Sequence, residues 1–476
     1  MTVIVMNKLC PDSEGGNGKG MGIGMNQKQL VLNALKGREV ERVPWVPFVG
    51  CHAASLIGVD CESYFKNEEH IVNGVSKAIE MYNPDGIPTM FDLQLEAEAM
   101  GCGLVYAKDN PPAVSTHILE QGKSIEDLRI PTQEDGRLPI ALSATRRLVE
   151  QYGDRIAIYG LITGPFTLAL HLKGTDIFYD MIDEPEEVEE LMEFCEKVAR
   201  EMARMYIEAG VDVVALVDPM TSQISPESFE EFVEPYCARV FDYIHEQGRL
   251  GSMFVCGDAT RNLEHMCLTH CDNLCVDENV DLAKAVEIGR KHNVSVGGNI
   301  KLTVTMLFGT PYDNMVDAQN CMQIGGRSGF ILSPGCDMPY ATPAENVQAI
   351  TRTVHGDVKD IFNSGNVMDG VTYELPDYAA NSKVIIDCIT LDSESCAACQ
   401  YNMEAVRVAA KGMEESLIII EHKIKEKEGV ACMLKLGASN VPTICVDGKI
   451  KYVSILPSTE EMAECFRQAI ADKNKR

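Results

Sequence analysis

The chain has 476 residues, 71 of them Asp or Glu against 42 Lys or Arg, for a formal net charge of −29. That balance excludes nucleic acid and anionic membrane as main partners, while an apolar share of 45% is enough for a sizeable core. The longest apolar runs, at 213–217 and 417–420, fall far short of the ~20 residues that cross a bilayer, and the N-terminus has no apolar stretch of signal-peptide length.

Residues 11–25 (PDSEGGNGKGMGIGM) are Gly-rich, so 1–25 is expected to be disordered, and 26–37 reads as a helix ended by Gly37. Strand candidates follow at 46–50, leading into Cys51 and His52, and at 86–90, leading into Phe91 and Asp92. After a long Gly- and Pro-bearing excursion, a helix at 138–152 leads to a third strand at 155–159. The best helix of the chain spans 184–209. Val188, Leu191, Met192, Cys195, Val198, Ala199, Met202, Ala203 and Tyr206 recur there at helical spacing, and four glutamates crowd its first turns, where the helix dipole favours them. Strand four (211–217) ends in Asp218, and a helix at 226–246 follows. Strand five (251–255) ends in Cys256-Gly257-Asp258, and strand six (273–276) ends in Asp277-Glu278. A helix at 282–292 precedes a short strand at 294–296 that runs into Gly297-Gly298-Asn299. Strand eight (329–332) runs into Ser333-Pro334-Gly335-Cys336, and a helix at 343–354 closes the set.

Eight apolar strands alternating with helices predict a (β/α)8 TIM barrel, with its chemistry at the C-terminal ends of the strands. Cys256 and Cys336 both belong to that rim, and two thiols there point to a soft metal or to thiol chemistry. Asp92, Asp218 and Asn299 are strand-end candidates for the pocket, and His52 is a candidate substrate contact. The bland reading of each carboxylate is a helix cap, and that of His52 is a structural histidine. A rival metal cluster is His265, Cys267, His270, Cys271 and Cys275. It lies on a helix and the following turn, where residues two apart diverge. The eighteen cysteines are scattered rather than spaced as a disulfide scaffold, which suits a reducing cytoplasm, including that of an anaerobe.

Residues 361–381 read as a linker. From 382 to 476 a different pattern begins: a strand at 383–390, Cys396-Ala397-Ala398-Cys399 opening a helix, a strand at 415–424, Val441-Pro442-Thr443 before a hairpin turning at Asp447-Gly448, and a helix at 458–472. The order is βαβαββα. A thiolate at a helix start is stabilised by the dipole, so Cys396 is the expected nucleophile and Cys399 the resolving thiol.

Residues 26–360 resemble the uroporphyrinogen decarboxylase superfamily, and within it the corrinoid branch of methylcobamide:coenzyme M methyltransferases. The resemblance rests on RVPWVPF, FDLQLEAEAMGC, GLITGPFTLALHLKGT, SPESFEEFVEPY, CGD, GGNIKLTVTMLFGTP and GFILSPGCDMPYATPAEN. The decarboxylases carry arginines after the first strand, where this chain reads FVGCHAASLIG, which argues against porphyrinogen decarboxylation. Asp92 falls at their pyrrole-binding aspartate. The thiol-methylating branch implies zinc on a His-x-Cys and a later Cys. Cys256 and Cys336 match the cysteines, Phe254 replaces the histidine, and Asp277 and Glu278 sit where an acidic residue can complete the shell, Glu278 being the slightly better match. The tail resembles thioredoxin-like domains, in which the proline of Val-Pro-Thr is usually cis.

Together these features predict a cytoplasmic, corrinoid (cobalamin)-dependent methyltransferase moving a methyl group between a methyl-corrinoid, carried on a small corrinoid-binding protein, and a thiol or other small acceptor. Zinc would sit on Cys256, Cys336 and Glu278, with Asp92 and His52 facing substrate, Asp218 and Asn299 lining the pocket, and Cys396 and Cys399 redox-active. The alternatives are a metal-free corrinoid methyltransferase or decarboxylase-like lyase, and a tetrapyrrole- or corrinoid-binding redox adaptor.

Overall fold

The computed structural model describes residues 26–356, 373–393, 397–424, 426–438, 441–453, 455 and 457–475. The expected disordered segment 1–25, most of the expected linker and Cys396 lie outside the described residues. A seven-stranded parallel sheet carries the larger part: β1 (Gly86–Pro88), β2 (Ala157–Thr163), β3 (Val213–Val217), β4 (Leu250–Val255), β5 (Asn273–Val276), β6 (Ser295–Ile300) and β7 (Phe330–Pro334), paired in that order. The two edges are joined through residues 44–46. The Val46 N–H donates to Leu332 O at 3.0 Å, the Leu332 N–H to Pro44 O at 2.9 Å, and the Asp85 N–H to Trp45 O at 2.9 Å. The sheet is therefore curled and closed, TIM-barrel-like, with a single bridge where an eighth strand would run.

This corrects the strand expected at 46–50. Pro44 precedes the segment and Pro47 lies within it, and proline cannot donate to a ladder. The chain instead turns into helix Gly50–Leu56, which contains Cys51 and His52. The helix expected over 226–246 is two, Pro226–Phe232 and Glu234–Glu246, broken at Val233 just before Pro235. β2 runs to Thr163, past Gly160, where the Tyr206 ring packs in the space a Cβ would take. β6 includes Gly297, Gly298 and Asn299, so Asn299 belongs to the strand rather than to the turn after it. The expectations for Leu138–Tyr152, Asn273–Val276 and Leu282–His292 match to the residue.

Alternation along the strands builds two layers. Ala157, Tyr159 and Leu161 of β2, Val213, Ala215 and Val217 of β3, Phe254 of β4 and Ile331 of β7 form one buried cluster inside the barrel, joined by Phe48 and Phe91. The intervening residues, such as Ile158, Val214, Leu216 and Met253, pack outward against the helices. Helix Pro185–Glu208 lays its predicted apolar face there, with all nine residues buried, at roughly 1.5–3 kcal/mol for each large side chain.

A second, four-stranded sheet follows: β8 (Val384–Thr390), β9 (Leu417–Lys423), β10 (Thr443–Val446) and β11 (Lys449–Val453), in the order β9-β8-β10-β11. β8 and β9 are parallel and the other pairs antiparallel. Helices Ala397–Ala409, Lys427–Leu436 and Thr459–Lys473 complete it, and the Val441–Pro442 bond is cis.

This second sheet packs onto the rim of the first. Leu307 and Phe308 share a buried cluster with Ile389, Ile424, Val430, Ala438 and Cys445. The Tyr401 hydroxyl donates to Leu170 O at 3.3 Å, Gln400 Nε2 to Val114 O at 3.1 Å, and Asn110 Nδ2 to Asp392 Oδ2 at 2.9 Å. Among the described residues no helix is long and apolar enough to cross a membrane.

Candidate active site

A cavity of about 130 Å3 lies at the C-terminal ends of the barrel strands, beneath the second sheet. The residues that follow β1, β4, β5, β6 and β7 supply its floor: Phe91 and Leu93, Cys256, Asp277 and Glu278, Leu302, and Cys336 with Asp337 and Met338. The second sheet supplies the roof: Leu391, Cys399, Ile424, Val441 and Pro442. An apolar wall with a few convergent polar groups is the usual make-up of a small-molecule site.

Cys256 and Cys336 are joined as a disulfide, with their Cα atoms 5.9 Å apart, across 80 residues of sequence. Two turns make the approach. Gly257 takes φ +89°, a left-handed conformation that glycine adopts without strain. Gly335 comes so close to the β5 turn that a Cβ there would stand 2.6 Å from the Glu278 nitrogen. Phe254, at the position the resemblance gives to histidine, is inside the barrel against Phe48 (4.8 Å between ring centroids) and Phe91 (5.8 Å). It forms an aromatic floor under the sulfurs.

Glu278 is half-buried, and Oε2 accepts from the Leu302 N–H. Burial first, and the neighbouring Asp277 second, push its carboxyl up to about 8. Asp277 is also raised by burial, while its Oδ1 accepts from the Asn279 backbone at 2.9 Å. Asp337, which no sequence argument singled out, accepts from the Cys51 N–H at 3.3 Å and lines the same cavity. Its only sequence signal is its place directly after Cys336.

The other candidates are turned to internal work. Asp92 pairs with Arg137 at 2.5 Å and accepts from the Gln94 N–H at 2.9 Å. Its neighbours Phe91, Leu93 and Gln94 line the cavity, and Asp92 is not among the lining residues. His52 Nε2 meets the Tyr82 hydroxyl at 2.7 Å, and burial lowers its pKa to about 4, so the ring is neutral. Asp218 accepts from Phe166 N, Thr167 N and the Thr167 hydroxyl at 3.1, 2.8 and 2.6 Å, so it caps helix Pro165–Lys173; burial raises it to about 6. Asn299 donates to Asp277 O and Val280 O, fixing the β5 turn from behind. None of these three lines the cavity.

In the rival cluster, His265 pairs with Glu234 and His270 with Asp242, while Cys267, Cys271 and Cys275 are buried. No group of three or more His, Cys, Asp or Glu is arranged to hold a metal among the described residues. Cys399 is buried at the start of helix Ala397–Ala409, its sulfur accepting from the Leu391 N–H at 3.3 Å.

The family model of uroporphyrinogen decarboxylase (URO-D) matches residues 26–356. The chain is 28% identical over 330 residues to the methylcobamide:CoM methyltransferase MtbA of Methanosarcina acetivorans, covering 67% of this chain and 95% of that one. It is 26% identical over 343 residues to the chloroplastic uroporphyrinogen decarboxylase 2 of Oryza sativa subsp. japonica, covering 68% and 86%. A solved methyltransferase from Methanosarcina mazei superposes with a TM-score of 0.64 at 24% identity, over 70% of this chain and 98% of that one, a likeness of fold. Over its barrel and rim, the chain belongs to the uroporphyrinogen decarboxylase (URO-D) family.

Proposed function

We propose that the chain is a corrinoid-dependent methyltransferase that moves a methyl group between a methyl-corrinoid and a small thiol held beside Cys256 and Cys336. One observation carries this reading: two sulfurs and a half-buried carboxyl, from three different strand ends, line one cavity of small-molecule size. Similarity to proteins named methylcobamide:CoM methyltransferases supports the donor class. The absence of arginine between Val46 and Leu56 weighs against a substrate bearing several carboxylates. In this reading a small corrinoid-binding protein delivers the donor, the setting is cytoplasmic, and residues 26–360 form the methyltransferase unit.

As a disulfide, the pair offers no thiolate, so the bonded form does not fit zinc. Once reduced, Cys256, Cys336 and Glu278 would hold it as two thiolates and a carboxylate. Bound zinc would lower the pKa of a substrate thiol. Glu278 suits that role, because a carboxyl raised to about 8 is mostly neutral at pH 7 without a cation and ionises beside one. Phe91, Leu93 and Met338 exclude water and seat the apolar part of the acceptor. The backbone of Leu302 holds Oε2 of Glu278 in place, which leaves Oε1 to carry the proton. Phe254 stands where the resemblance gives a histidine ligand, so Glu278 would have to supply the third protein ligand, and the metal-free alternative rests on that substitution.

The tail is read as a thioredoxin-like thiol–disulfide unit over 382–476. Its strand order, its helix beginning at Cys399's turn and the cis Val441–Pro442 bond support that.

The test is methylcobalamin demethylation by the reduced protein with a panel of small thiols, followed by absorbance, together with the zinc content of the same sample. Turnover with zinc near one per chain is expected. Turnover without zinc selects the metal-free route, and binding without turnover overturns the methyltransferase reading.

A further inference from the structure

Polar groups other than the two sulfurs also face the cavity at the barrel mouth. Gln94, on the turn after β1, lines it, is 7% exposed, and has a side-chain amide oxygen (Oε1) with no hydrogen-bond partner. Four carboxyl groups line the same space: Asp109, Asp277, Glu278 and Asp337. We propose that the acceptor received here is a small cation, an aminothiol whose ammonium is held by Gln94 and this acidic lining, with Gln94 as the residue that selects it. This rests on the thiol-acceptor reading given above, and it adds the chemical class of the acceptor's other end.

Three observations carry it. The backbone of Gln94 is engaged, its N–H donating to Asp92 Oδ1 at 2.9 Å and its carbonyl accepting from the Glu98 N–H at 2.9 Å. Its side chain, however, makes no capping bond to helix Leu95–Ala99, which begins there. A buried amide oxygen without a donor is costly, and an ammonium N–H supplies the donor it lacks. The second observation is topological. Counting residues 44–46 as one step, β1 and β5 are four steps apart in either direction around the closed sheet, so the turns after them stand on opposite sides of the mouth. Gln94 lies on one side, Asp277 and Glu278 on the other. A molecule with its sulfur beside Cys256 and Glu278 therefore directs its far end toward the β1 side. The third is charge. Among the described residues that line the cavity there is no lysine, arginine or histidine. An anionic head such as a sulfonate finds no counter-charge there, and an anion buried without one is strongly disfavoured.

The space suits such a molecule. At about 130 Å3 the cavity takes a two-carbon chain between a sulfur and an ammonium, and the apolar walls of Phe91, Leu93 and Met338 match that chain. Those walls receive chains with ammonium, hydroxyl or sulfonate heads equally well, so the head group alone sorts them. Selection is then a difference of affinities set by Gln94 and the carboxyls, to which an ammonium makes charge-assisted bonds.

The test is calorimetric titration of the full chain with three thioethers of one chain length: methylthioethylamine, methylthioethanol and methylthioethanesulfonate. Each stands for a methylated acceptor, and none has a thiol to exchange with Cys256–Cys336. The amine should bind at least about tenfold more tightly than the sulfonate, with the alcohol between them. In Gln94→Leu the amine should lose about tenfold and the sulfonate little. Asp109→Asn, at an exposed position, should narrow the ratio of amine to sulfonate as well, and circular dichroism melts show that both variants are folded. Sulfonate binding as tight as amine binding, a ratio unchanged in both variants, or no binding of any of the three overturns the proposal. No corrinoid is present, so the outcome is read apart from methyl transfer: an amine preference in a chain that fails to demethylate methylcobalamin overturns the methyltransferase reading and keeps the cation site.

Discussion

The two halves of the barrel rim are built from the same kinds of residue and use them differently. After β1 and β3, the polar groups turn inward to the fold. Asp92 neutralises Arg137 and Asp218 caps a helix, and His52, on the helix after residue 46, is hydrogen-bonded to Tyr82. After β4, β5 and β7, Cys256, Asp277, Glu278, Cys336 and Asp337 line the cavity instead. A strand-end carboxylate is thus a site residue where it keeps a face on the cavity, as Asp277 and Glu278 do while accepting from Asn279 and Leu302. Arg137, Thr167 and Tyr82 are the donors that decide the matter for the first half.

Perturbing the first half should change stability, and perturbing the second should change chemistry. Asp92→Ala should have the largest effect. Buried Arg137 keeps only Glu98 as a counter-charge, and losing the buried partner should cost about 3–5 kcal/mol. Urea denaturation reads this, and a loss below about 1 kcal/mol would move Asp92 into the other class.

His52 comes next. Its folded pKa of about 4 lies below the usual 6.5, so as pH falls from 6.5 to 4 the unfolded chain takes up a proton that the native ring refuses. Stability from this group is therefore full above 6.5 and lost by roughly 3 kcal/mol on the way down to 4. Asp218, raised to about 6, works against it: the native carboxyl keeps its proton where the unfolded one has lost it, so stability from Asp218 falls as pH rises from 4 to 6. His52→Gln should remove the rising part of a pH–stability curve and leave the falling one. An unchanged curve would assign the ring to the cavity.

On the chemical half, Cys336→Ser should lower thiol-dependent methyl transfer about 100-fold with the urea midpoint of the reduced protein little changed. Glu278→Gln should have the smallest effect, about tenfold on the same rate, with zinc content falling in parallel if the carboxylate is a ligand. A rate loss without a zinc change would make the group a proton carrier only.

Much of this architecture is legible in the chain. Uninterrupted apolar runs give the parallel strands, and the nine-residue stripe of Pro185–Glu208 gives its helix to within a residue at each end. The first strand misleads because its residue types suit a strand, while Pro44 and Pro47 deny it the ladder. Cys256 and Cys336 are legible as rim residues because each directly follows an apolar run. The fates of Asp92 and His52 are not, because Arg137 is 45 residues downstream and Tyr82 is 30 residues downstream, and no local pattern announces either pairing. Nor does periodicity show that the second sheet sits on the mouth. That contact depends on scattered side chains such as Asn110, Phe308 and Tyr401, each unremarkable in its own segment.

The size of the chamber sets a timetable for the enzyme. At about 130 Å3 it is close to the ~150 Å3 hole that admits benzene, so it has room for a small acceptor and none for a macrocycle. On the proposed reading, a corrin ring would reach the acceptor only once the roof lifts, breaking the Tyr401 and Gln400 hydrogen bonds and exposing Phe308. The strength of that latch would then set how often the cavity opens to a large donor.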